Sequence, residues 1–181
     1  MFENVRADLR RLCHSDESRI KAFVSGLLSQ GFQAILVYRI FHWFYVQKIP
    51  AQPVRFICER FIEITTGISI PAVCEIGAGL RIHHFGCIIF HPSTRIGTNC
   101  TIYQEVTIGD KGGNGNAAVI GNNVVIGAGA KIIGEIHVGD NCKIGANSVV
   151  TRDVPHNATV IGNPAVVKNA PRHSSPEIVQ E

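Results

Sequence analysis

Three histidines and a cysteine lie close together near the middle of the chain. His83 and His84 are adjacent, and Cys87 and His91 follow shortly after them. An imidazole titrates near neutral pH and can serve as a general base, a metal ligand or an ordinary packed side chain, and a cysteine thiolate is a nucleophile. No clear carboxylate or thiolate completes a four-ligand metal set beside the histidines. A metal site is therefore the weaker alternative, while a base, a nucleophile and a purely structural role stay open.

The residues around this cluster repeat with a period of six. Such a hexapeptide repeat is typical of a solenoid of short parallel strands, in which aliphatic side chains fill a narrow core and small residues turn the corners. A β-sandwich would show a period of two instead. Apart from a two-residue slip and one longer gap, the repeat places a branched aliphatic at thirteen positions: Ile70, Ile76, Ile82, Ile88, Ile96, Ile102, Ile108, Ile120, Ile126, Ile132, Val138, Ile144 and Val150.

The composition of the chain changes near Gly67. Ten of the 13 aromatic residues precede Gly67, and 16 of the 18 glycines lie within residues 67–162. Residues 20–47 have the pattern of one or two helices, with Gly31 as the point at which they would divide. We therefore expect three parts, which are an N-terminal helical region over residues 1–66, a β-solenoid domain over residues 67–168 and a solvated tail over residues 169–181.

Charge and cysteine content limit the classes of function. Only 17% of the residues are charged and 45% are hydrophobic, so part of the surface is expected to be buried against further copies of the chain. A net charge of +3 without a basic run argues against nucleic-acid binding. The six cysteines form no CxxC pair, and the first residues lack the apolar core of a signal peptide, which predicts a reduced, cytoplasmic protein. The apolar stretch from Phe32 to Val46 is too short to span a membrane, so any membrane contact is expected to be peripheral.

The repeats and the motifs around them resemble the serine acetyltransferase-like branch of the hexapeptide-repeat acyltransferases. The resemblance covers nearly the whole chain, through the segments GFQAILVYRIFHW, TTGISI, RIHHFGCII, VTIGDKGG, VIGAGAKIIGEIHVG and GNPAVV. It implies a mainly β fold, which is a left-handed parallel β-helix with an N-terminal α-helical region. It also implies a homotrimer that binds acetyl-CoA as co-substrate between neighbouring β-helices and that uses no metal.

The resemblance assigns the catalytic base. His84 stands where the family's catalytic histidine stands, two residues before Gly86, and a base is needed because a neutral hydroxyl attacks a thioester poorly. His83 is expected to orient His84 or to contact the acceptor. Cys87 is the weaker candidate, because direct transfer needs no covalent intermediate and small buried cysteines are common.

The same resemblance assigns the acetyl-CoA site. Gly109 begins the loop expected at the pantetheine end, and Ala128 and Ala146 match positions whose backbone pairs with the pantetheine amides. The two alanines would equally serve tight corners of a β-helix. Lys131 and Lys168 are candidates for contacts with the phosphates of CoA, although a lone lysine is more often only solvated.

The acceptor side departs from the family pattern. Where serine-forming members carry acidic residues, this chain has Ser69 and His83, and its shorter loop from Gly109 to Val119 contains neither Arg nor His. A free amino acid needs a cation for its carboxylate and an anion for its ammonium group. Asp16 matches the family's acidic residue in the helical region. Asp16, Ser69 and His91 are our candidates for acceptor binding.

Two motifs favour a particular acceptor. The coil RIHHFGCII and the loop TIGDKGG are more similar to the colanic acid acetyltransferase type, whose members acetylate sugars during exopolysaccharide assembly. A sugar hydroxyl needs the same base but no clamp for a carboxylate. We therefore expect an acetyl-CoA-dependent O-acetyltransferase that acts on a saccharide. The alternatives are a serine O-acetyltransferase of cysteine biosynthesis and a non-catalytic trimeric scaffold.

Overall fold

A computed structural model gives the fold and describes residues 1–12, 24, 26, 28–113 and 115–169. Within these residues the helices are α1 (Phe2–Arg10), α2 (Gln30–Val46) and α3 (Gln52–Thr66). The strands are short: β1 (Ile68–Ser69), β2 (Glu75–Ile76), β3 (Arg81–Ile82), β4 (Ile88–Phe90), β5 (Arg95–Ile96), β6 (Thr101–Ile102), β7 (Thr107–Gly109), β8 (Val119–Ile120), β9 (Val125–Ile126), β10 (Lys131–Ile133), β11 (His137–Val138), β12 (Lys143–Ile144), β13 (Val149–Val150), β14 (Thr159–Ile161) and β15 (Val166–Asn169).

The strands wind into a parallel β-helix of about five coils, where a coil is one complete turn of the chain. Up to β13, every third strand lies on the same face, which gives three sheets with the orders β1-β4-β7-β10-β13, β2-β5-β8-β11 and β3-β6-β9-β12-β14-β15. Strand β15 pairs antiparallel with β14 and closes the last coil as a hairpin. The expected mainly β solenoid with an N-terminal helical region is confirmed.

Coil length varies at three places, and the last is a shorter coil near the C-terminal end, where Lys143 pairs with Thr159, 16 residues later. A regular coil spans 18 residues, as in the pairing of Ile89 in β4 with Thr107 in β7. The first coil spans 20 residues, since Ile68 pairs with Ile88, and the extra residues lie in the turn that carries the adjacent histidines. The pairing of β5 with β8 encloses the Gly- and Asn-rich segment after β7. This segment leaves the coil as the expected loop.

The aliphatic residues of the repeat fill the interior, and all thirteen are buried. Glycine follows many of them for a steric reason. A Cβ added to Gly77 would lie 2.7 Å from the carbonyl carbon of Gly97 in the next coil, so glycine allows successive coils to approach at strand spacing. Cys74 and Cys100 are also interior, and burial raises the pKa of these thiols to about 12 and about 11. Both are inert packing residues at neutral pH.

A buried ion pair joins the helices to the first coil. Arg39 in α2 donates from Nε to Asp8 Oδ2 in α1 at 2.9 Å, and both side chains are almost fully buried. Arg39 also donates to the carbonyl oxygens of Ile76 and Gly77 at 2.6 and 2.7 Å. Asp8 Oδ1 accepts from the backbone N–H of Gly79 at 2.8 Å. Because both partners also bond to the coil, the pair fixes α1 and α2 to the β-helix.

The expected division of residues 20–47 is found at Ser29, two residues before Gly31, because residues 24, 26 and 28 are helical, Ser29 is not, and α2 begins at Gln30. The helix begins after Ser29, whose hydroxyl accepts from the N–H of Phe32 at 3.5 Å. Gly31 has a packing role, because a Cβ there would lie 2.7 Å from the carbonyl oxygen of Ile82. Glycine therefore lets α2 pack directly against the first coil.

The chain changes from helix to strand at Gly67. Helix α3 ends at Thr66, where Gly67 follows with a φ of 65°, and β1 begins at Ile68. Strand β15 ends at Asn169, and residues 170–181 lie outside the described residues. The division into domains after residues 66 and 168 stays a prediction. Among the described residues, no helix combines the length and the apolar composition needed to cross a membrane.

Candidate active site

Each coil turns at three corners, which we name by their residues. The histidine corner connects the β3 sheet to the β1 sheet and contains residues 83–87, 103–106, 127–130 and 145–148. The loop corner connects the β1 sheet to the β2 sheet and contains residues 71–74, 91–94, 110–113, 115–118 and 134–136. The asparagine corner connects the β2 sheet to the β3 sheet and contains residues 77–80, 97–100, 121–124, 139–142 and 155–158.

Two rings stack at the histidine corner. The planes of His83 and Tyr103 are parallel within 1°, and their centroids are 4.6 Å apart. The two residues follow the paired strands β3 and β6, so they occupy the same place in neighbouring coils. The ring of His84 lies beside this stack, with its centroid 6.0 Å from His83 and 6.4 Å from Tyr103, and it is exposed. An exposed imidazole beside a fixed pair of rings is accessible to a substrate.

The surroundings of His83 disfavour its protonation. Burial, followed by the positive charge of Arg81 and the neighbouring His84 and Arg11, lowers the pKa of His83. A lowered pKa keeps His83 neutral at neutral pH. The residue next to the expected base therefore adds no positive charge.

Two residues of the histidine corner adopt an unfavourable backbone conformation. Cys87 and Glu105 have φ values of 52° and 62°, in the left-handed region that only glycine and asparagine visit readily. The corner is continuous at this point, because the N–H of Glu105 donates to the carbonyl oxygen of Gly86 at 3.0 Å. Backbone strain of this kind is common at functional sites.

Ala128 and Ala146 lie on the same corner as His84, two and three coils further toward the C-terminus. The N–H of Asn147 donates to the carbonyl oxygen of Ala128 at 2.8 Å, which shows that the coils are in register. Since strands lie about 4.8 Å apart, the two alanines are about 10 and 14 Å from the level of His84 along the axis. Small residues of the third and fourth coils therefore leave a strip on this corner on which an extended ligand can lie.

Lys131 also reaches this corner. Its Nζ donates to the carbonyl oxygen of Glu105, so the ammonium group is engaged with the backbone. Lys168 is exposed on β15, at the far end of the β-helix.

Gly109 does not lie with the two alanines. Gly109 is the last residue of β7, and the loop follows it at the loop corner. The loop corner and the histidine corner lie on opposite edges of the β1 sheet. His91 lies at the loop corner too, and its Nδ1 accepts from the N–H of Ser93 at 3.2 Å. Within one copy of the chain, the structure brings neither residue to His84. In the part of the chain that is described, no three His, Cys, Asp or Glu side chains are grouped as a metal site would require.

The repeats and most of the chain match known proteins. Residues 117–152 match the family described as bacterial transferase hexapeptide (six repeats). A serine acetyltransferase of Synechococcus elongatus is 37% identical over 169 residues, which cover 92% of this chain and 68% of the relative. The chain belongs to the serine acetyltransferase family. A second member of that family, from Helicobacter pylori, is 37% identical over 165 residues, which cover 87% of this chain and 92% of the relative.

A solved structure of the family has the same fold. The serine acetyltransferase of Neisseria gonorrhoeae in complex with serine is 32% identical, with a TM-score of 0.82, and the match covers 93% of this chain and 69% of that chain. This family member is therefore a hexapeptide-repeat acyltransferase. The names of these relatives support the broad family, and none of the three is a colanic acid acetyltransferase.

The expected acceptor residues of this family member are not gathered at one place. Ser69 lies at the end of β1 and lines a cavity of about 160 Å³ beneath the helices, together with Tyr38 and Glu59. Burial raises the pKa of Glu59 there. Asp16 lies outside the described residues. Ser69 pairs with Ile89 in the neighbouring strand of its sheet, and His83 and His84 lie together at the histidine corner.

Tyr103, Arg81 and Arg11 belong to the surroundings of the expected base, and the sequence analysis missed all three. Tyr103 carries a signal that could have been used, because it follows Ile102 as His83 follows Ile82. In consecutive coils, equivalent positions stack on each other. Arg11 carries no such signal, since it approaches from the helical region.

Proposed function

We propose that this family member transfers the acetyl group of acetyl-CoA to the hydroxyl of L-serine, with His84 as the general base. One observation carries the proposal: the exposed imidazole of His84 lies on the same corner as the small residues Ala128 and Ala146, two and three coils further on. L-serine is the first acceptor to test, because the relatives are named serine acetyltransferase and one of them is solved in complex with serine.

In this mechanism, His84 accepts the proton of the acceptor hydroxyl while the oxygen attacks the carbonyl carbon of the thioester. As the carbon–sulfur bond breaks, His84 returns the proton to the departing sulfur, so the base is regenerated. The stack on Tyr103 restricts the ring of His83, which gives His84 a fixed neighbour. A neutral His83 also avoids repulsion with the imidazolium that forms on His84.

The strip of small residues supports the proposed position of acetyl-CoA. Backbone groups at Ala128 and Ala146 are accessible to the amides of a pantetheine arm, because neither side chain extends beyond Cβ. The ammonium group of Lys131 donates a hydrogen bond to the carbonyl oxygen of Glu105. The exposed Lys168 is the less restricted of the two candidate partners for the phosphates.

A saccharide hydroxyl is the second candidate acceptor, and it corresponds to the resemblance to the colanic acid acetyltransferase type. Ser69 and His83 stand where serine-forming members carry acidic residues, and the loop from Gly109 to Val119 has neither Arg nor His. These residues favour an acceptor without paired charges. Asp16 is the one acidic residue in this chain that matches the pattern of the serine-forming members.

The active unit is proposed to be a homotrimer. In one copy, the histidine corner and the loop corner lie on opposite edges of the β1 sheet, and a neighbouring copy would bring its own Gly109 and His91 to His84. Phe85 and Ile89 are 59% and 52% exposed beside the histidine corner, and a partner copy would bury them. Light scattering tests this state, and an active monomer of 19.7 kDa would contradict it.

Thiol release from acetyl-CoA tests the acceptor. The panel consists of L-serine, homoserine, simple sugars and oligosaccharide fragments. The highest kcat/KM with L-serine supports the main proposal, and the highest value with a sugar supports the second candidate. Release that no acceptor stimulates would contradict both and favour the non-catalytic scaffold.

A further inference from the structure

A cluster of basic side chains lies beside His84, and the proposed mechanism does not use it. Arg81 and Thr101 pair on the outer faces of the neighbouring strands β3 and β6. Arg11, which follows α1, donates from Nη2 to the hydroxyl of Thr101 at 2.8 Å. His83 follows Arg81 by two positions and therefore lies on the same face. Two guanidinium groups and the stacked histidine thus share one side of the first two coils.

The charges of the two arginines are not neutralised by the described residues. The ion pairs found there involve other basic side chains. Arg11 donates to the carbonyl oxygens of Gly79 and Asn99. Burial, and then the nearby charge of Arg81, lowers the pKa of Arg11. Because like charges repel more strongly when they are partly desolvated, an anion bound here would be stabilised.

Two polar atoms of residues in or beside the histidine corner are buried without a hydrogen-bond partner. Arg81 Nε is one of them, and it can only donate. Gln104 Oε1, which follows the stacked Tyr103 on the histidine corner, is the other, and it can only accept. Buried polar atoms are nearly always paired, so these two atoms are available to a polar ligand or to water.

We propose that Arg81, supported by Arg11, binds the carboxylate of the acceptor and so selects hydroxy acids. This proposal rests on the proposed acetyl transfer by His84. A guanidinium is planar and can donate two parallel hydrogen bonds to a carboxylate. Arg81 would therefore supply the cation that the loop from Gly109 to Val119 lacks. The unpaired Gln104 Oε1 is available to a donor group of the same acceptor.

The position of Arg81 favours the acceptor over the phosphates of CoA. Arg81 lies in the same coil as His84, three residues before it. The proposed path of acetyl-CoA runs the other way, past Ala128 and Ala146 toward the C-terminal coils. A phosphate contact at Arg81 would require acetyl-CoA to lie in the opposite direction.

The test compares Arg81→Gln with the wild type on two acceptors that differ only in charge. L-serine carries a carboxylate, and L-serinamide carries a neutral amide in its place. We expect Arg81→Gln to lower kcat/KM for L-serine by about 10- to 100-fold, which is the usual effect of losing one charge-assisted hydrogen bond. The value for L-serinamide and the KM for acetyl-CoA should stay within about twofold. The wild-type preference for L-serine over L-serinamide should then disappear.

Arg95→Gln is the matched control. Arg95 is an exposed arginine on β5, with its Nε 3.3 Å from Glu75. Its replacement should leave kcat/KM for both acceptors within about twofold of wild type. If Arg81→Gln lowered kcat/KM equally for L-serine and L-serinamide, the proposal would be overturned. An unchanged L-serine value or a raised KM for acetyl-CoA would also overturn it.

A binding measurement separates this proposal from the proposed function. Inorganic sulfate should raise the melting temperature of the wild type and of Arg95→Gln but not of Arg81→Gln. If no acceptor is acetylated while this difference is found, the anion site stands and the assignment of the reaction fails. If L-serine is acetylated and sulfate stabilises all three proteins equally, the reaction stands and the site at Arg81 is wrong.

Discussion

The asparagine corner and the histidine corner use the same backbone conformation with different side chains. At the asparagine corner, Asn99, Asn123, Asn141 and Asn157 have φ values between 56° and 59°. Their amides form a ladder, in which Asn123 donates to Asn141 at 3.1 Å and Asn141 donates to Asn157 at 3.0 Å. Asparagine tolerates this conformation better than other residues with a side chain. This corner is built for stability.

At the histidine corner, two left-handed positions near His84 are not occupied by asparagine or glycine. Cys87 and Glu105 hold the left-handed conformation, which costs such residues roughly 1–2 kcal/mol. Only further along the corner do Gly129 and Asn147 return to favourable residue types. The difference indicates that the coils around His84 give up local stability where the proposed chemistry takes place.

The largest expected effect is on the stability of the asparagine corner, because the helices attach there. Asp8 accepts from the N–H groups of Gly79 and Leu80 at this corner and pairs with the buried Arg39. Asp8→Asn would leave the guanidinium of Arg39 buried without its counter-charge. We expect the free energy of unfolding to fall by about 3–5 kcal/mol in urea denaturation.

Glu63→Gln is the control for this prediction. Glu63 pairs with Arg60 on the exposed face of α3 at 2.6 Å, and removing an exposed pair should cost less than about 1 kcal/mol. Similar losses in both variants would mean that the buried pair does not hold the helices to the β-helix.

The next effect is on turnover and belongs to the histidine corner. His84→Ala removes the proposed base, so we expect turnover to fall by about a hundredfold or more. Calorimetry should find CoA binding almost unchanged, because the strip at Ala128 and Ala146 is intact. His83→Asn should give a smaller but measurable loss, since it alters the neighbour of the base.

His137→Ala is the matched histidine control. His137 is exposed on β11, away from the histidine corner, and turnover should stay within about twofold of wild type. Near-normal turnover in His84→Ala would remove the assignment of the base. A rate in His83→Asn that equals wild type with every acceptor would leave His83 structural.

A smaller effect on stability is expected from one substitution at each corner, which allows the two corners to be compared directly. Asn141→Ala breaks the amide ladder and puts alanine at a φ of 59°, so we expect a loss of about 1–2 kcal/mol in thermal unfolding. Glu105→Asn places a tolerant residue at a φ of 62° and should raise stability by about 0.5–1 kcal/mol. Destabilisation by both variants would show that Glu105 makes a compensating contact and that its conformation stores no strain.

The smallest effect is the pH dependence that His83 contributes. Burial, followed by the charges of Arg81, His84 and Arg11, lowers the pKa of His83 below its usual value of about 6.5. The unfolded chain then binds a proton at a higher pH than the folded protein. The stability due to neutral His83 is therefore complete above the unfolded pKa and falls as the pH drops toward the folded pKa.

Titration of the imidazole C2 proton by NMR measures this shift. Arg81→Gln should move the pKa of His83 upward, because it removes one of the positive charges beside the ring. The exposed Arg95→Gln should leave it unchanged. An unaltered His83 titration in Arg81→Gln would mean that burial alone sets the pKa.

The sequence determined the β-helix, the position of its loop and the closeness of His83 to His84. A hexapeptide repeat places equivalent residues in neighbouring coils, so contacts along the β-helix follow from sequence spacing alone. The thirteen in-phase aliphatics therefore became the core, and the gap after Ile108 became a loop. The division expected at Gly31 lies two residues earlier, at Ser29, and glycine at position 31 serves packing against Ile82, a contact that local pattern does not encode.

Tertiary structure alone decided which side chains surround the expected base and how the helices attach. Arg11 and Thr101 are 90 positions apart in sequence, and Arg39 and Asp8 are 31 apart. No period links such residues, because their contacts depend on how the helices dock and on how far long side chains reach. The separation of Gly109 from Ala128 has the same origin: both are small residues next to strands of the repeat, but only the folding of each coil into three corners puts them on different edges of one sheet.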